Sequence, residues 1–225
     1  MIEAIIFDCD GVLVDSEVLA LEVELAAAAS IGLSYDLGDY KARFMGMTTQ
    51  AFFDLLAKDC RAQTGRDLPE GFQDRCYGEY RAALHRLKEI EGAMRAVSQV
   101  THRKAVASSS TADALEEKLR RTGLWDRFAP HVYSTDLVAA GKPAPDIFLY
   151  AARKLGTAPR DCLVFEDSVN GVRAARAANM RVWGFSGGGH MDKASSDRLL
   201  AAGAERVVEH WDHLPTIIAA MGSSA

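Results

Sequence analysis

The sequence predicts an α/β fold, a Rossmann-like parallel sheet with helices on both faces, carrying an all-α cap domain as an insert. Three observations carry this prediction. The run Ile5-Ile6-Phe7 is continuously apolar and stops at Asp8-Cys9-Asp10-Gly11, which is how a strand buried on both faces reads when its tip carries polar groups. From about Glu91 onward, short apolar runs alternate with helix-period segments, the signature of βαβ units. Between residues 15 and 87 only helical spacings occur. A connection of that length is not expected inside a compact core, so it reads as a domain of its own. The division is therefore 1–14 with 88–225 for the core and 15–87 for the cap.

Taken in order, the first strand is followed by a helix through Glu17, Leu19, Leu21, Val23 and Leu25 to the alanines at 26–29, with Ser16 as its cap and a stop near Gly32. Phe52, Phe53, Leu55 and Leu56, then Tyr77, Tyr80, Leu84 and Leu87, give amphipathic helices broken near Gly46 and across Gly65 to Gly71. Lys104 to Ala107 is a strand ending at Ser108, and Thr111 is placed to cap a helix from Ala112 to Arg121. His131 to Ser134 is a shorter strand. Pro145 suits the first turn of a helix through Phe148, Ala151 and Leu155. Cys162 to Phe165 is a strand ending in Glu166-Asp167, and Ser168 caps the helix that runs to Ala178. Arg181 to Phe185 is a further strand, followed by Ser186-Gly187-Gly188-Gly189-His190. A helix from Asp197 to Ala202, a strand at Val207-Val208 and a helix past Pro215 complete the chain.

At 225 residues, with 48% hydrophobic residues, the chain has material for a packed core and a second small domain. A net charge of −5 supplies no basic footprint for nucleic acid and disfavours an anionic membrane surface. The cysteines, Cys9, Cys60, Cys76 and Cys162, are scattered with no CxxC pair, so they read as reduced thiols and the expected location is cytoplasmic. No apolar run approaches the roughly 20 residues that span a bilayer. The expected assembly is a monomer or weak homo-oligomer.

Three apolar runs end in reactive groups: Phe7 in Asp8-x-Asp10, Ala107 in Ser108, and Phe165 in Glu166-Asp167. Parallel strands bring such tips to one sheet edge, where open α/β folds bind ligands. Lys142, in Gly141-Lys142-Pro143-Ala144-Pro145-Asp146, is placed to reach the same edge. A phosphate monoester carries about −1.5 to −2 charges at neutral pH, and each unit repulsion at about 4 Å costs about 4 kcal/mol at an effective dielectric near 20. One lysine cannot offset four carboxylates and such a ligand. A hard divalent cation can, and an all-oxygen donor set without histidine in the strand tips points to Mg²⁺ rather than zinc.

Residues 7–17, Phe7-Asp8-Cys9-Asp10-Gly11-Val12-Leu13-Val14-Asp15-Ser16-Glu17, together with Ser108, the Gly141–Asp146 segment and Phe165-Glu166-Asp167-Ser168-Val169-Asn170-Gly171, resemble the four motifs of the haloacid-dehalogenase (HAD) superfamily in order and spacing. The likeness is to its phosphatase and β-phosphoglucomutase-like branch, which carries a helical cap between the first two motifs. The resemblance implies a phosphoric monoester hydrolase in which Asp8 attacks phosphorus and forms an aspartyl-phosphate, while Asp10 protonates the leaving alcohol and then activates water. It implies that Ser108, Ser109, Lys142 and the Gly11 N–H bind the phosphoryl group. Mg²⁺ would be held by Asp8, the Asp10 carbonyl and Asp167, with Glu166 in support. The expected substrate is a small phosphorylated metabolite, with a sugar phosphate or a related sugar-acid or polyol phosphate leading.

Two departures favour a phosphatase over the mutase alternative. Mutase relatives place an arginine after the cap glycine, where this chain has Gly46-Met47-Thr48-Thr49, and a histidine near Leu19-Ala20, where none occurs. Asp10 argues against carbon–halogen cleavage, since members with that activity lack the second aspartate. A non-catalytic phosphometabolite-binding protein is the alternative from another class, and the intact Asp8/Asp10 pair disfavours it. Arg43, Met45, Gly46, Thr48, Thr49, Arg75 and His190 are candidates for substrate contact. Cys9, between the two aspartates, is expected to turn into the core.

Overall fold

The computed structural model describes residues 1–44, 47 and 49–214, and these divide into two compact units, Met1–Glu17 with Leu87–Ala225, and Val18–Arg86. The first is an α/β unit around six strands: β1 (Ala4–Phe7), β2 (Arg103–Ser108), β3 (Val132–Ser134), β4 (Cys162–Glu166), β5 (Arg181–Phe185) and β6 (Val207–Val208). Their order across the sheet is β3-β2-β1-β4-β5-β6, and every pairing is parallel.

Register explains why the motifs meet. Phe7 is level with Val106 on one side and Phe165 on the other, so Asp8, Ser108 and Glu166 all fall at the carboxyl edge of neighbouring central strands. The position after Phe7 is locked by the Asp8 N–H, which donates to the Phe165 carbonyl at 2.9 Å.

Alternation along the strands separates two cores. On one face Ala4, Ile6, Ala105, Ala107, Cys162, Val164 and Val182 pack with apolar residues of α8 (Asp146–Leu155) and α9 (Val169–Ala177). Phe7, Phe165, Phe128, Trp183, Phe185 and Trp211 form a continuous set of ring contacts, with Phe7 stacked on Phe165 at 5.4 Å and Phe185 on Trp211 at 4.4 Å. Fully buried Trp211 also spends its indole N–H on the Val12 carbonyl at 2.9 Å, tying the turn after Asp10 to the core. Cys9 is fully buried, as its parity predicts, and burial raises its thiol pKa.

The remaining helices of this unit are α5 (Ala93–Gln99), α6 (Ala112–Arg121), α7 (Trp125–Phe128) and α10 (Lys193–Ala202); α1 (Ser16–Ser30) starts in it. Several local expectations are corrected. Thr111 occupies the N-cap of α6 but makes no side-chain cap bond, and the acceptor found at this helix start is Asp136 Oδ2, which takes the Ala112 N–H at 2.7 Å. Helix α10 begins at Lys193 rather than Asp197, since Asp192 and Ser195 form a reciprocal capping box. Helix α5 was not anticipated: seven residues are too few to show a clear period. Ser168 does cap α9, accepting from the Gly171 N–H. The helix expected past Pro215 lies outside the described residues.

The second unit is all-helical, with most of α1 joined by α2 (Leu37–Phe44), α3 (Thr49–Thr64) and α4 (Phe72–Ala83). Its core holds Leu21, Leu33, Tyr40, Phe44, Leu56, Cys60 and Phe72. Buried Tyr40 satisfies its hydroxyl on Glu24 at 3.0 Å. All four cysteines are free and buried, and no described helix is long and apolar enough to cross a membrane.

Candidate active site

Two ion-pair cages are built at the carboxyl edge of the sheet. In the first, Lys142 Nζ donates to Asp8 Oδ1 at 2.6 Å, Glu166 Oε1 at 2.5 Å and the Ala107 carbonyl at 3.0 Å. The lysine arrives from the loop before α8 and its ammonium also lies over the Phe148 ring at 4.9 Å. Glu166 ends β4 and is fully buried; its second oxygen accepts from the Ser168 N–H at 3.2 Å and hydroxyl at 2.9 Å. Only glycine fits beside it at 171, where a Cβ would come within 1.8 Å of the carboxylate.

Burial pushes the Asp8 carboxyl well above its usual pKa; Lys142 pulls it down, while Glu166, Asp167 and Asp10 push it up further. Burial also raises Glu166. Burial opposes the charge of Lys142, but Asp8 and Glu166 together outweigh it and keep the ammonium protonated. One lysine is thus shared among crowded carboxylates that still resist full ionisation.

The second cage surrounds Asp10. Lys118 Nζ lies 2.5 Å from Asp10 Oδ1 and 3.0 Å from Ser110 Oγ; the Ser110 hydroxyl donates to Asp10 Oδ2 at 2.8 Å, with Ser108 Oγ at 3.4 Å. The Ser16 hydroxyl donates to Oδ1 as well. Burial pushes Asp10 upward, but the charge and hydrogen bond of Lys118 and the hydroxyls of Ser16 and Ser110 outweigh it and hold the carboxyl at about 2. Asp8 and Asp10, two residues apart, are therefore tuned in opposite directions.

Asp167 stands beside the first cage. Its Oδ2 meets His190 Nε2 at 3.1 Å. Gly11, with φ +72°, is required beneath it, because a Cβ there would fall 1.9 Å from Asp167 Oδ2 and 2.7 Å from His190 Cε1. Asp8, Glu166 and Asp167 each offer an oxygen within 4.8 Å of the others. A converging all-oxygen set with a deficit of positive charge fits a hard cation such as Mg²⁺.

The predicted residues divide clearly. Asp8, Asp10, Gly11, Ser108, Lys142, Glu166, Asp167 and His190 converge in the α/β unit. Ser109 is exposed, and its backbone carbonyl accepts from Thr135 Oγ1 at 3.2 Å. Arg43 is paired with Asp59 at 2.7 Å, and Arg75 lies over Phe72 with Ser30 and Glu79 as polar neighbours; all of these belong to the helical unit. Met45, Gly46 and Thr48 lie outside the described residues, as does the side chain of Thr49.

Four participants were missed. Lys118 is buried on α6, three residues after Leu115 and one before Leu119, so the readable signal was a lysine within a helix's apolar stripe. Ser16 was read as a helix cap, whereas its hydroxyl serves Asp10. Ser110 was not singled out. Glu17 is half-buried near Asp10 and Asp167, and desolvation first, then those charges, raises it to about 7.

The arrangement matches known proteins across its length. The sequence profile of the haloacid dehalogenase-like hydrolases covers residues 2–179. A phosphorylated carbohydrates phosphatase of Thermotoga maritima is 35% identical over 212 residues, 92% of this chain and 94% of that protein. Among solved structures, a conserved haloacid dehalogenase-like protein from Agrobacterium tumefaciens aligns with a TM-score of 0.88 at 39% identity, over 99% of this chain and 100% of that one. A HAD family hydrolase from Deinococcus radiodurans, solved with bound phosphate and sodium, aligns with a TM-score of 0.86 at 34% identity, over 98% of this chain and 96% of that one.

Proposed function

Since the chain belongs to the haloacid dehalogenase-like hydrolase family, we propose that it is a Mg²⁺-dependent phosphatase of a small phosphorylated metabolite, with sugar phosphates or related sugar-acid and polyol phosphates as the leading class. The observation that carries this reading is the Asp8, Glu166 and Asp167 oxygens gathered within 4.8 Å around the strand tip that Lys142 also engages. The Thermotoga relative's name supports the carbohydrate class, and the phosphate in the Deinococcus structure supports a phosphoryl site in this fold.

Asp8, Asp167 and Glu166, with the Asp10 carbonyl, are the groups to hold the cation, which when bound would neutralise phosphoryl oxygens and lower the barrier to anionic attack. Asp8 is the nucleophile: its carboxylate bonds to phosphorus, the bond to the leaving oxygen breaks, and an aspartyl-phosphate results. Lys142 and Ser108 hold phosphoryl oxygens. Water then attacks phosphorus, its proton passing to Asp10 and the electron pair returning to Asp8. In the cage described above Asp10 is ionised, the form that this second step needs. To protonate the leaving alcohol in the first step it must loosen from Lys118 and the serines, which raises its proton affinity. The Val18–Arg86 unit is the cap of this reading and the source of substrate selectivity.

The test is a Mg²⁺-supplemented screen of phosphorylated sugars, sugar acids, polyols and nucleotides for released phosphate. Isomerised sugar phosphate without free phosphate would replace this reading with a mutase. Binding without turnover would replace it with a sensor.

A further inference from the structure

The run Gly187-Gly188-Gly189-His190 has no task in the reaction outlined above, yet it is built tightly against the carboxylate cluster. The His190 side chain is 8% exposed and meets Asp167 Oδ2 through Nε2 at 3.1 Å. Its other ring nitrogen, Nδ1, is buried with no hydrogen-bond partner among the described residues, so among these the ring is aimed at Asp167 rather than held between two polar groups. The glycines explain how it is pressed there. A Cβ at Gly188 would lie 2.7 Å from the His190 ring and 3.0 Å from the Gly11 carbonyl, and one at Gly187 would lie 2.3 Å from the Glu209 carbonyl. Gly11 is packed against the same ring, since a Cβ there would lie 2.7 Å from His190 Cε1.

Lys142 fixes Asp8 and Glu166, the other two members of the oxygen cluster, and bridges them. Asp167 is the third member, and His190 is the group that meets its carboxylate. We propose that His190 is a positioning residue for the divalent cation: its Nε2–H fixes the Asp167 carboxylate through one oxygen and leaves the other turned to the metal. This rests on the reading of Asp8, Glu166 and Asp167 as cation ligands. Partners that orient a metal-ligating carboxylate are generally worth about 10–100-fold in metal affinity. A ring that only anchors the loop would have no such effect.

The experiment is calorimetric titration of the full chain with Mg²⁺ alone, comparing the native protein with His190→Leu, which keeps bulk and removes the donor, and His190→Gln, whose amide nitrogen reaches the place of Nε2. Unfolding midpoints measured without metal serve as the folding control. The expected result is Mg²⁺ binding weakened about 10–100-fold in the leucine variant and largely restored in the glutamine variant. If the leucine variant does not fold, His190→Asn, too short to reach Asp167, carries the same expectation. Native affinity in the donor-less variant overturns the inference, as does equal weakening in the leucine and glutamine variants. A native chain that binds no Mg²⁺ overturns the cation reading itself, and this inference with it.

Discussion

Two lysine–carboxylate cages sit a few residues apart on the same sheet edge, and they do opposite things to their acids. Around Asp8 a single ammonium is divided between two buried carboxylates with a third close by, and burial raises the Asp8 pKa. Around Asp10 one ammonium and three hydroxyls converge on one carboxylate, and the pKa falls to about 2 although burial acts in the same upward direction. Residue type is identical and burial is similar. The difference is in what each acid has to itself: Asp10 receives an ammonium and three hydroxyls, whereas Asp8 shares its one ammonium with Glu166 and stands close to Asp167. In the proposed mechanism the negative charge left over around Asp8 is met by a cation, while the donors around Asp10 hold it deprotonated and lower its proton affinity until they loosen.

The comparison is broken most completely at its first member. Asp8→Asn removes the proposed nucleophile while relieving the deficit of positive charge, so phosphatase turnover should fall toward the order of 10⁶-fold seen on loss of a covalent nucleophile, with the unfolding midpoint unchanged or raised. Retention of most activity would sink the nucleophile assignment. Lys142→Met is next. It leaves Asp8 and Glu166 buried without their shared cation, a loss of about 3–5 kcal/mol by denaturant unfolding at neutral pH. The sign with pH follows from the raised pKa values: both acids are easier to keep protonated in the fold, so acidification should return part of the lost stability. A deficit in this variant that grows on acidification would contradict that picture.

Lys118→Met tests the second cage, and its deficit should also shrink on acidification but at lower pH, because Asp10 is held below the ordinary carboxylate range while Asp8 and Glu166 are pushed above it. Asp10 drops from a reference of 3.8 to about 2, which corresponds to about 2 kcal/mol at neutral pH. A depressed acid contributes stability that is present above its unfolded value and lost as pH falls through its folded one. The difference between native protein and variant should therefore be complete at pH 7 and close between about pH 4 and 2. A difference that does not narrow on acidification would mean that Lys118 acts through packing rather than charge.

The two cages also differ in how far the chain announces them. Asp8, Ser108, Lys142, Glu166 and Asp167 were legible because each follows an apolar run or a Gly-Pro loop, and parallel strands force such tips together. Their roles as ligands or nucleophile remain assignments from the family likeness. Lys118 was not legible: it sits in Leu115-Glu116-Glu117-Lys118-Leu119-Arg120-Arg121, where Arg120 pairs with Glu116 and Arg121 with Glu117 on the exposed side. A lysine amid such charges reads as solvated. Only its place in the Leu115/Leu119 stripe marks it as inward, and its partner is 108 positions away. His190 was obscured differently, since a run of three glycines suggests a loose loop, whereas here Gly187 and Gly188 permit close packing. The parallel sheet was legible strand by strand, whereas α5 is too short to show a period and the start of α10 depended on a capping box that no periodicity reveals.

The finest division of labour lies inside the second cage. Ser110 is the hinge of its network, donating to Asp10 Oδ2 at 2.8 Å while accepting from Lys118 at 3.0 Å. Ser110→Ala removes one donor to a carboxylate and one acceptor of a lysine but leaves the 2.5 Å ion pair intact. If donors in surplus are what holds Asp10 low, the loss should be small, about 1 kcal/mol, and should appear in the same acidic window as the Lys118→Met effect. The double variant decides whether the hydroxyl and the ammonium act as one unit. Contacting groups in one network couple, so Ser110→Ala should cost measurably less once Lys118 has been replaced by Met. Strict additivity would make the serine an independent hydrogen bond and leave Lys118 alone to set the contrast with Asp8.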